Sequence, residues 1–383
     1  MTSQRGSTLG RYGVHIAVLF FVIIWTIPTL GILVSSLRDK DQIIVSGWWT
    51  ALSSSSQTEA GRLPAGAEAV ARDGKFVLEG ALFEEGDKRS ISAFGITSRA
   101  PTEFDAGTIA DVGDGETLQL NEDGSFIATY PQASDDKRGR RIYFSAELPP
   151  RFTTENYESV LFSEGIGRSF INSLTVTIPA TIIPIMIAAF AAYALAWMRF
   201  PGRALLIAVI IGLLVVPLQM TLIPLLKLYN GVGAFFGVPS KTYLGIWLAH
   251  TGFGLPFAIY LLRSYMAGLP RELMESARID GASDFEIFMK IVLPLSFPVL
   301  ASFAIFQFLW VWNDLLVAMV FLGSGSQQLV LTGKLNALLG SRGGDWEILT
   351  ASAFVTIIVP LIVFFSLQRY FVRGLLAGSV KGG

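Results

Sequence analysis

The 383-residue sequence contains no cysteine, only two histidines, and charged residues at 15% of the chain. The absence of cysteine excludes disulfide bonds, thiolate metal sites and a thiol nucleophile, although it indicates no cellular compartment. The scarcity of charge accompanies 52% hydrophobic residues and a mean hydropathy of +0.54. Such a composition excludes an ordinary soluble protein of this size and indicates membrane insertion.

Long uncharged apolar runs recur along the chain, and each exceeds the roughly 20 residues that cross about 30 Å of hydrocarbon. They predict six membrane spans: Val14–Leu37, Ser169–Met198, Ala204–Leu226, Thr242–Leu262, Ile291–Asn313 and Ile348–Gln368. The first run could instead be a signal peptide. Its apolar stretch is longer than a signal core and no A-x-A site follows, so a retained anchor is favoured.

Lysine and arginine in the short connecting segments predict the orientation of the spans. If the N-terminus is cytoplasmic, that side carries 11 of these residues and the opposite side carries four, leaving aside the long segment after the first span. Both termini are therefore expected on the cytoplasmic side of the membrane. The segment between the fourth and fifth spans lies on the same side.

The long segment after the first span differs in composition from the rest of the chain. Residues 38–168 hold 14 Lys/Arg and 22 Asp/Glu, a net charge of −8. Period-two runs separated by turn dipeptides, such as Asp123-Gly124, predict a small β domain. It has no histidine and no metal-ligand spacing, so a solvated acidic surface is favoured over carbohydrate or metal binding.

Polar side chains within or near the spans are costly and tend to face a protein interior or a cavity. The candidate pathway or interhelical residues are Asn172, Gln219, Gln307, Asn313 and Asp314. For Asp314 a structural hydrogen bond is favoured over a proton or ion relay, because no second buried acid or base is evident. His250 is expected to be a satisfied interhelical donor rather than a ligand.

Residues 270–294 read as two short helices joined at a glycine. Pro270 suits a first helical turn, and Gly281 suits the C-cap. Leu273, Ala277 and to a lesser degree Met274 are expected to form the apolar face of the first helix. Ser283 with a glutamate three residues later predicts a capping box at the start of the second helix.

The same segment carries a longer pattern: E-A-A, three residues, G, nine residues, I-x-L-P. This chain has Glu275-Ser276-Ala277, then Gly281, then "IVLP" at Ile291–Pro294, and departs from the pattern only at Ser276, a small residue in place of a small residue. The chain therefore resembles the permease subunits of importer-type ABC transporters. "RSFINSLTVTIPAT", "WVWNDLLVAMVFL" and "LQRYFVRGLLAGSVKG" are similar to the maltose and α-glucoside branch of carbohydrate importers.

The resemblance covers residues 1–37 and 152–383 and implies an all-α polytopic membrane protein with six transmembrane helices of the ABC importer permease fold. A small β-rich extracytoplasmic insert would separate helices 1 and 2. The implied divisions are 1–37, cytoplasmic N-terminus and helix 1; 38–151, the insert; and 152–383, the permease core, with a coupling loop at 266–294 and a cytoplasmic tail at 369–383.

In this family a short helix, here 272–282, docks on a cytoplasmic ATPase and carries its motion into the membrane. The implied coupling residues are Glu275, Ser276, Ala277, Asp280, Gly281, Ala282, Phe288, Leu293 and Pro294. The chain has no G-x-x-x-x-G-K-[ST] phosphate loop, so it is expected to be no enzyme and to bind no cofactor or metal. A partner subunit would bind ATP and magnesium.

The implied partners are a second permease subunit, an ABC ATPase dimer, an extracytoplasmic sugar-binding protein and membrane lipid, with no nucleic acid. The implied cargo is a sugar, an α-glucoside or another oligosaccharide. The loop expected to meet the binding protein includes Gly323, Gly325, Lys334, Arg342 and Trp346, and the tail with Lys381 is expected to reach the ATPase. The alternatives are a secondary transporter, or a membrane-anchored enzyme or sensor that acts through its external domain.

Overall fold

The computed structural model describes residues 5–379 except 73, 85, 86, 88, 135, 136, 240, 324 and 326, with the backbone alone for 5–9 and 371–379. The chain divides into two compact units, Met1–Thr154 and Glu155–Gly383. Lys381, in the tail expected to reach the ATPase, lies outside the described residues.

The first unit begins with one long helix and continues into a β-rich region. Its helical elements are α1 (Arg5–Ser36), α2 (Lys40–Val45) and a 3-10 turn at Trp48–Thr50. The strands are β1 (Ser55–Arg62), β2 (Val70–Arg72), β3 (Lys75–Ala81), β4 (Ser90–Gly95), β5 (Phe104–Asp105), β6 (Ile109–Asp111), β7 (Thr117–Leu120), β8 (Ser125–Tyr130) and β9 (Arg141–Leu148).

The strands form two antiparallel sheets with the orders β1-β9-β4-β5 and β2-β3-β8-β7-β6. Side chains from both sheets share one core: Phe94 and Ile142 come from the first, and Leu120 and Phe126 from the second. The alternating exposure along β8 follows from the two-residue period of a strand, with one face in that core. The unit is therefore a β-sandwich that follows a membrane-spanning helix.

The hairpin between β7 and β8 turns at the predicted dipeptide. Gly124 adopts a φ of +81°, which a glycine tolerates without strain, and its N–H donates to the carbonyl of Asn121 at 3.0 Å. The prediction of a β-rich region after the first span is confirmed.

The second unit is helical. Its elements are α3 (Glu155–Glu158), a π-helical turn at Ser159–Ser163, α4 (Ile166–Trp197), α5 (Arg203–Leu213), α6 (Leu218–Phe236), α7 (Tyr243–Met266), α8 (Arg271–Ile279), α9 (Asp284–Ile287), a π-helical turn at Phe288–Val292, α10 (Leu293–Leu295), α11 (Phe297–Trp312), α12 (Leu316–Phe321), α13 (Leu331–Ser341) and α14 (Trp346–Ser379). In its packing, α4 lies along α7 and α11, and α11 lies along α14.

Small side chains let α4 and α7 approach closely. Ala188 and Ala192 of α4 and Ala258 of α7 are fully buried in one cluster. The same cluster contains Met274 and Phe288 from the segment between α7 and α11. The helical core therefore extends from the spans into that segment.

Within the described residues, four helices are long and apolar enough to cross a membrane, or up to six if each of two bent pairs is one span. The four are Gly10–Ser36, Ile166–Trp197, Tyr243–Met266 and Trp346–Tyr370. Together with the bent pairs, these helices account for the six predicted runs.

The predicted third and fifth spans are each a pair of helices that meet at a bend. α5 and α6 meet at 107°, and the helix Asp284–Leu295 meets α11 at 69°. Pro217 lies at the first break with an extended ψ of 125°; it has no N–H to donate within a helix. The second break is at Ser296; Pro298, in the first turn of α11, has no N–H to donate to the carbonyl four residues earlier, which favours a bend there.

Candidate functional site

Helix α8 and its two ends form the centre of the predicted coupling loop. Pro270 precedes the helix as its N-cap, with a ψ of 129°, rather than lying inside its first turn. Asp280 is the C-cap, and Gly281 follows it with a φ of +82°. The N–H of Gly281 donates to Arg278 and that of Ala282 to Ala277, at 3.1 and 3.0 Å. This pair of bonds ends the helix in a Schellman motif, one residue later than the predicted cap position for glycine.

The second short helix, α9, starts with the predicted capping box. The side chain of Ser283 accepts from the N–H of Glu286 at 3.3 Å, and the carboxylate of Glu286 accepts from the N–H of Ser283 at 3.1 Å. Lys290 adds an ion pair to Glu286 at 3.0 Å. The capping box is confirmed, and it satisfies backbone N–H groups at the start of α9.

Met274 fixes α8 to the helical core. It is 2% exposed, whereas Leu273 is 43% exposed. The prediction that Leu273 leads the buried face is wrong, because the core lies on the side of Met274 and Ala277, which are three residues apart on one helix face. Leu273 lies about 100° around the helix from Met274 and therefore flanks that face.

Phe288 fixes the second half of the loop. Its ring is 2% exposed and packs against Phe190 and Tyr193 of α4, with centroid distances of 4.7 and 5.3 Å. The Tyr193 hydroxyl donates to Asp284 at 3.3 Å, and Asp284 also pairs with Arg278 at 3.1 Å. The loop is therefore attached to α4 by both packing and a hydrogen bond.

The outward side of the loop combines apolar and charged groups. Ile279 is 86% exposed and Phe285 is 63% exposed. Glu275 and Asp280 are exposed beside them. The sequence-based prediction did not include Ile279 or Phe285, although the helical period indicates that Ile279 faces outward. Ile279 lies about 140° around α8 from the buried Met274 and cannot share its face.

The remaining predicted coupling residues are divided between this surface and the core. Ser276 and Pro294 are exposed, and Leu293 and Ala282 are partly buried against the helical core. The loop thus presents charged and small residues outward together with Ile279 and Phe285, and keeps Met274 and Phe288 inward.

The five candidate polar residues do not form one cluster. Asn172 is buried, donates to the carbonyls of Gln327 and Leu329, each at 3.0 Å, and accepts from the hydroxyl of Tyr243. Gln307 is also buried and donates to the carbonyl of Ala180 at 3.0 Å. Asn172 therefore joins α4 to the segment before α13, and Gln307 joins α11 to α4.

Gln219 and Asn313 are exposed. The Asn313 amide donates to Leu309 in its own helix at 2.8 Å. Asp314 accepts from the N–H of Ala318 at 3.1 Å, a structural hydrogen bond at the start of α12.

His250 corrects an expectation of the sequence. Its side chain is fully buried, yet within the described part of the chain neither ring nitrogen has a hydrogen-bond partner. The nearest acid is Asp314, whose Oδ2 lies 3.9 Å from Nε2. The ring packs edge-on against Trp310, with centroids 5.2 Å apart. The predicted interhelical hydrogen-bond donor is therefore a buried ring that packs on Trp310 and has no hydrogen-bond partner among the described residues.

The predicted binding-protein loop is partly helical. Gly323 has a φ of +102°, and Gly325 follows in a turn, while α13 carries a partly exposed Lys334. Trp346 begins α14 and is 55% exposed. The N–H of Leu331 donates to the hydroxyl of Ser173 at 2.8 Å, so α4 holds the start of α13.

Arg342, in the same predicted loop, forms two ion pairs. It pairs with Glu164 at 2.7 Å and with Asp345 at 3.1 Å. These two carboxylates offset its positive charge, so electrostatic attraction of the loop to an acidic partner would depend on Lys334.

The sequence of the helical unit matches a known protein family. The family model for the binding-protein-dependent transport system inner membrane component matches residues 168–376, more than half of the chain. The chain belongs to this family. As a permease of this kind it is an inner-membrane subunit of an ABC importer, and nothing found supports the alternatives of a secondary transporter or a membrane-anchored sensor.

Three relatives extend the comparison. The permease is 69% identical to the alpha-glucoside transport system permease protein AglG of Rhizobium meliloti, over 100% of both chains. It is 43% identical to the osmoprotective compounds uptake permease protein GgtD of Synechocystis sp., over 99% of this chain and 95% of that one. A probable ABC transporter permease protein of Pyrococcus horikoshii is 40% identical over 61% of this chain and 83% of its own.

Proposed function

We propose that this permease forms half of the transmembrane pathway of an ATP-driven importer whose cargo is an α-glucoside. Support for this cargo is the 69% identity to AglG along the whole chain, including the β-sandwich. The test is uptake of radiolabelled maltose by cells that carry the importer, with and without this permease. Competition by unlabelled sucrose or trehalose, but not by the β-glucoside cellobiose, is expected; equal competition by cellobiose would contradict the proposal.

The contact with a separate ATPase subunit would be the outward surface of α8 and α9. The observation that carries this assignment is the exposure of Ile279 and Phe285 on a loop held from behind by Met274 and Phe288. An exposed apolar pair among charges is typical of a protein interface, because its burial removes apolar area from water. The coupling residues Glu275, Asp280 and Gly281 border it.

Two variants test the contact with the ATPase. Ile279→Asp is expected to reduce co-purification of the ATPase while the permease still reaches the membrane. The matched control is Ile109→Asp, which places the same charge at an isoleucine 70% exposed in the sandwich. Undiminished co-purification for Ile279→Asp, or an equal loss for both variants, would contradict the assignment.

The permease would pair with a second, different permease subunit, and the segment from Gly323 to Glu347 would receive the sugar-binding protein. This arrangement requires that both termini and the α8–α9 loop lie in the cytoplasm and that residues 38–151 lie outside the cell membrane. Asn172 and Ser173 of α4 support the assignment of this segment to the binding protein, because their hydrogen bonds to Gln327 and Leu331 hold the start of the segment in place. A Gly-Ser insertion after Gly325 should then reduce ATP hydrolysis stimulated by the binding protein and leave basal hydrolysis intact. Unchanged stimulation would make the segment a connector.

A further inference from the structure

The fifteen residues Arg38–Leu52, which begin two positions after the end of α1, form a compact segment that we call the collar. Arg38 is 2% exposed, and its guanidinium donates to the carbonyls of Gln42 and Ser46 at 3.0 and 2.7 Å. It also donates to the hydroxyl of Ser46 at 2.5 Å. These bonds hold the middle and the C-terminal end of α2 to Arg38, two residues after the end of α1, so the collar is rigid with respect to the end of the span.

The collar is equally fixed to the β-sandwich. The amide of Gln42 donates to Pro149 at 2.7 Å and accepts from the N–H of Arg151 at 3.0 Å. The N–H of Thr153 donates to Leu37 at 2.7 Å. The chain segment that leaves β9 therefore lies against the end of α1.

Trp48 folds back along the span. Gly31 of α1 has no side chain, and a Cβ placed there would lie 2.8 Å from Nε1 of Trp48. Gly31 lies five residues before Ser36, the end of α1, or about 7.5 Å along the helix axis. The indole is therefore level with the last turns of a helix that crosses the membrane, rather than beyond its end.

The collar carries a group of apolar side chains that nothing in the described residues covers. Trp49 is 74% exposed and Leu52 is 84% exposed, beside Ile44 at 60% and Val45 at 46%. Trp48 and Trp49 meet edge to face with centroids 6.1 Å apart. Such a patch is unfavourable in water, and tryptophan is enriched where a membrane meets water.

We propose that the collar is a membrane-interface anchor. Trp49 and Leu52, with Ile44 and Val45, would rest among the lipid headgroups and upper acyl chains of the leaflet in which α1 ends. Continuity with the span selects lipid as the occupant, because Trp48 already contacts α1 at the depth of its last turns. The anchor holds the base of the sandwich, where β9 ends, at the bilayer surface.

The absence of cysteine from the chain provides a direct test. Leu52→Cys carries a nitroxide spin label in the assembled importer, in nanodiscs of phosphatidylethanolamine and phosphatidylglycerol. Collisions with oxygen, which concentrates in lipid, are compared with collisions with a water-soluble nickel chelate. Trp49→Cys is a second site, in case one variant fails to assemble, and the unsubstituted chain supplies the background.

The control label is Lys137→Cys, an exposed residue four positions before β9. The start of β9, near Lys137, is about 23 Å from Leu148 at the other end of the strand, because a strand rises about 3.3 Å per residue. A gain in oxygen collisions and a loss of nickel collisions at position 52, relative to 137, is expected, and adding binding protein should leave both unchanged. Equal nickel access at the two sites, or shielding of position 52 from both reagents by a protein, would overturn the proposal.

Discussion

Tyr193 of α4 donates a hydrogen bond to Asp284 of α9 at 3.3 Å, joining a membrane span to the loop proposed to meet the ATPase. The same span carries Asn172, whose side-chain amide donates hydrogen bonds to the carbonyls of Gln327 and Leu329. The 21 positions between Tyr193 and Asn172 correspond to about 31 Å of helix. One helix therefore contacts both loops, and we expect its position to depend on both.

Tyr193→Phe tests this link. The variant keeps the ring that packs on Phe288 at 5.3 Å and removes only the hydroxyl. A hydrogen bond of this kind contributes about 0.5–1.5 kcal/mol, so we expect uptake per ATP hydrolysed to fall by up to about tenfold while the complex stays assembled. The control is Tyr229→Phe in α6, whose ring packs on Phe321. Equal uptake per ATP in both variants would contradict the link.

Met274→Ala and Leu273→Ala form a matched pair on α8. Met274 is 2% exposed, and its truncation leaves a cavity that costs about 2–5 kcal/mol. We expect a lower unfolding temperature for the detergent-solubilised complex. Leu273, 43% exposed, should leave that temperature nearly unchanged and weaken only ATPase binding. A larger thermal effect at Leu273 would reverse the assigned faces.

Gly281 requires a left-handed backbone, with a φ of +82°, although a Cβ there would meet nothing within 4 Å. Gly281→Ala should therefore lower the free energy of unfolding by about 1–2 kcal/mol, because alanine is strained in the left-handed conformation. Asn tolerates this region better and should retain more uptake, whereas Pro should abolish it by removing the N–H that donates to Arg278. Uptake in membrane vesicles, normalised to permease in the membrane, measures the series. An Ala variant equal to wild type would show that the turn is not strained.

Gly254 and Gly252 are two residues apart on α7 but differ in their surroundings. A Cβ at Gly254 would lie 2.5 Å from the amide oxygen of Gln307, whereas one at Gly252 would meet nothing within 4 Å. Gly254→Ala should displace Gln307 from its hydrogen bond to Ala180 and lower the free energy of unfolding by about 1–3 kcal/mol. Thermal unfolding of the purified permease measures this, and Gly252→Ala should match or exceed wild-type stability. Equal unfolding temperatures would exclude a tight contact at Gly254.

The sequence by itself determined the features that depend on neighbouring residues. The capping box at Ser283 and the turn at Gly281 need only a few adjacent positions, since side chain, cap and φ lie within one helical turn. The Asp123-Gly124 hairpin and the apolar runs are local for the same reason.

Only the tertiary structure decided which faces are buried and which charges are paired. Met274 rather than Leu273 is buried because α4 and α7 contribute to the cluster on that side, and Arg342 is paired with Glu164 from a distant segment. Tyr193 and Asp284 are 91 residues apart, and the bends at Pro217 and Ser296 set where such partners meet. Contacts of this range depend on the packing of whole helices, which no short pattern in the chain records.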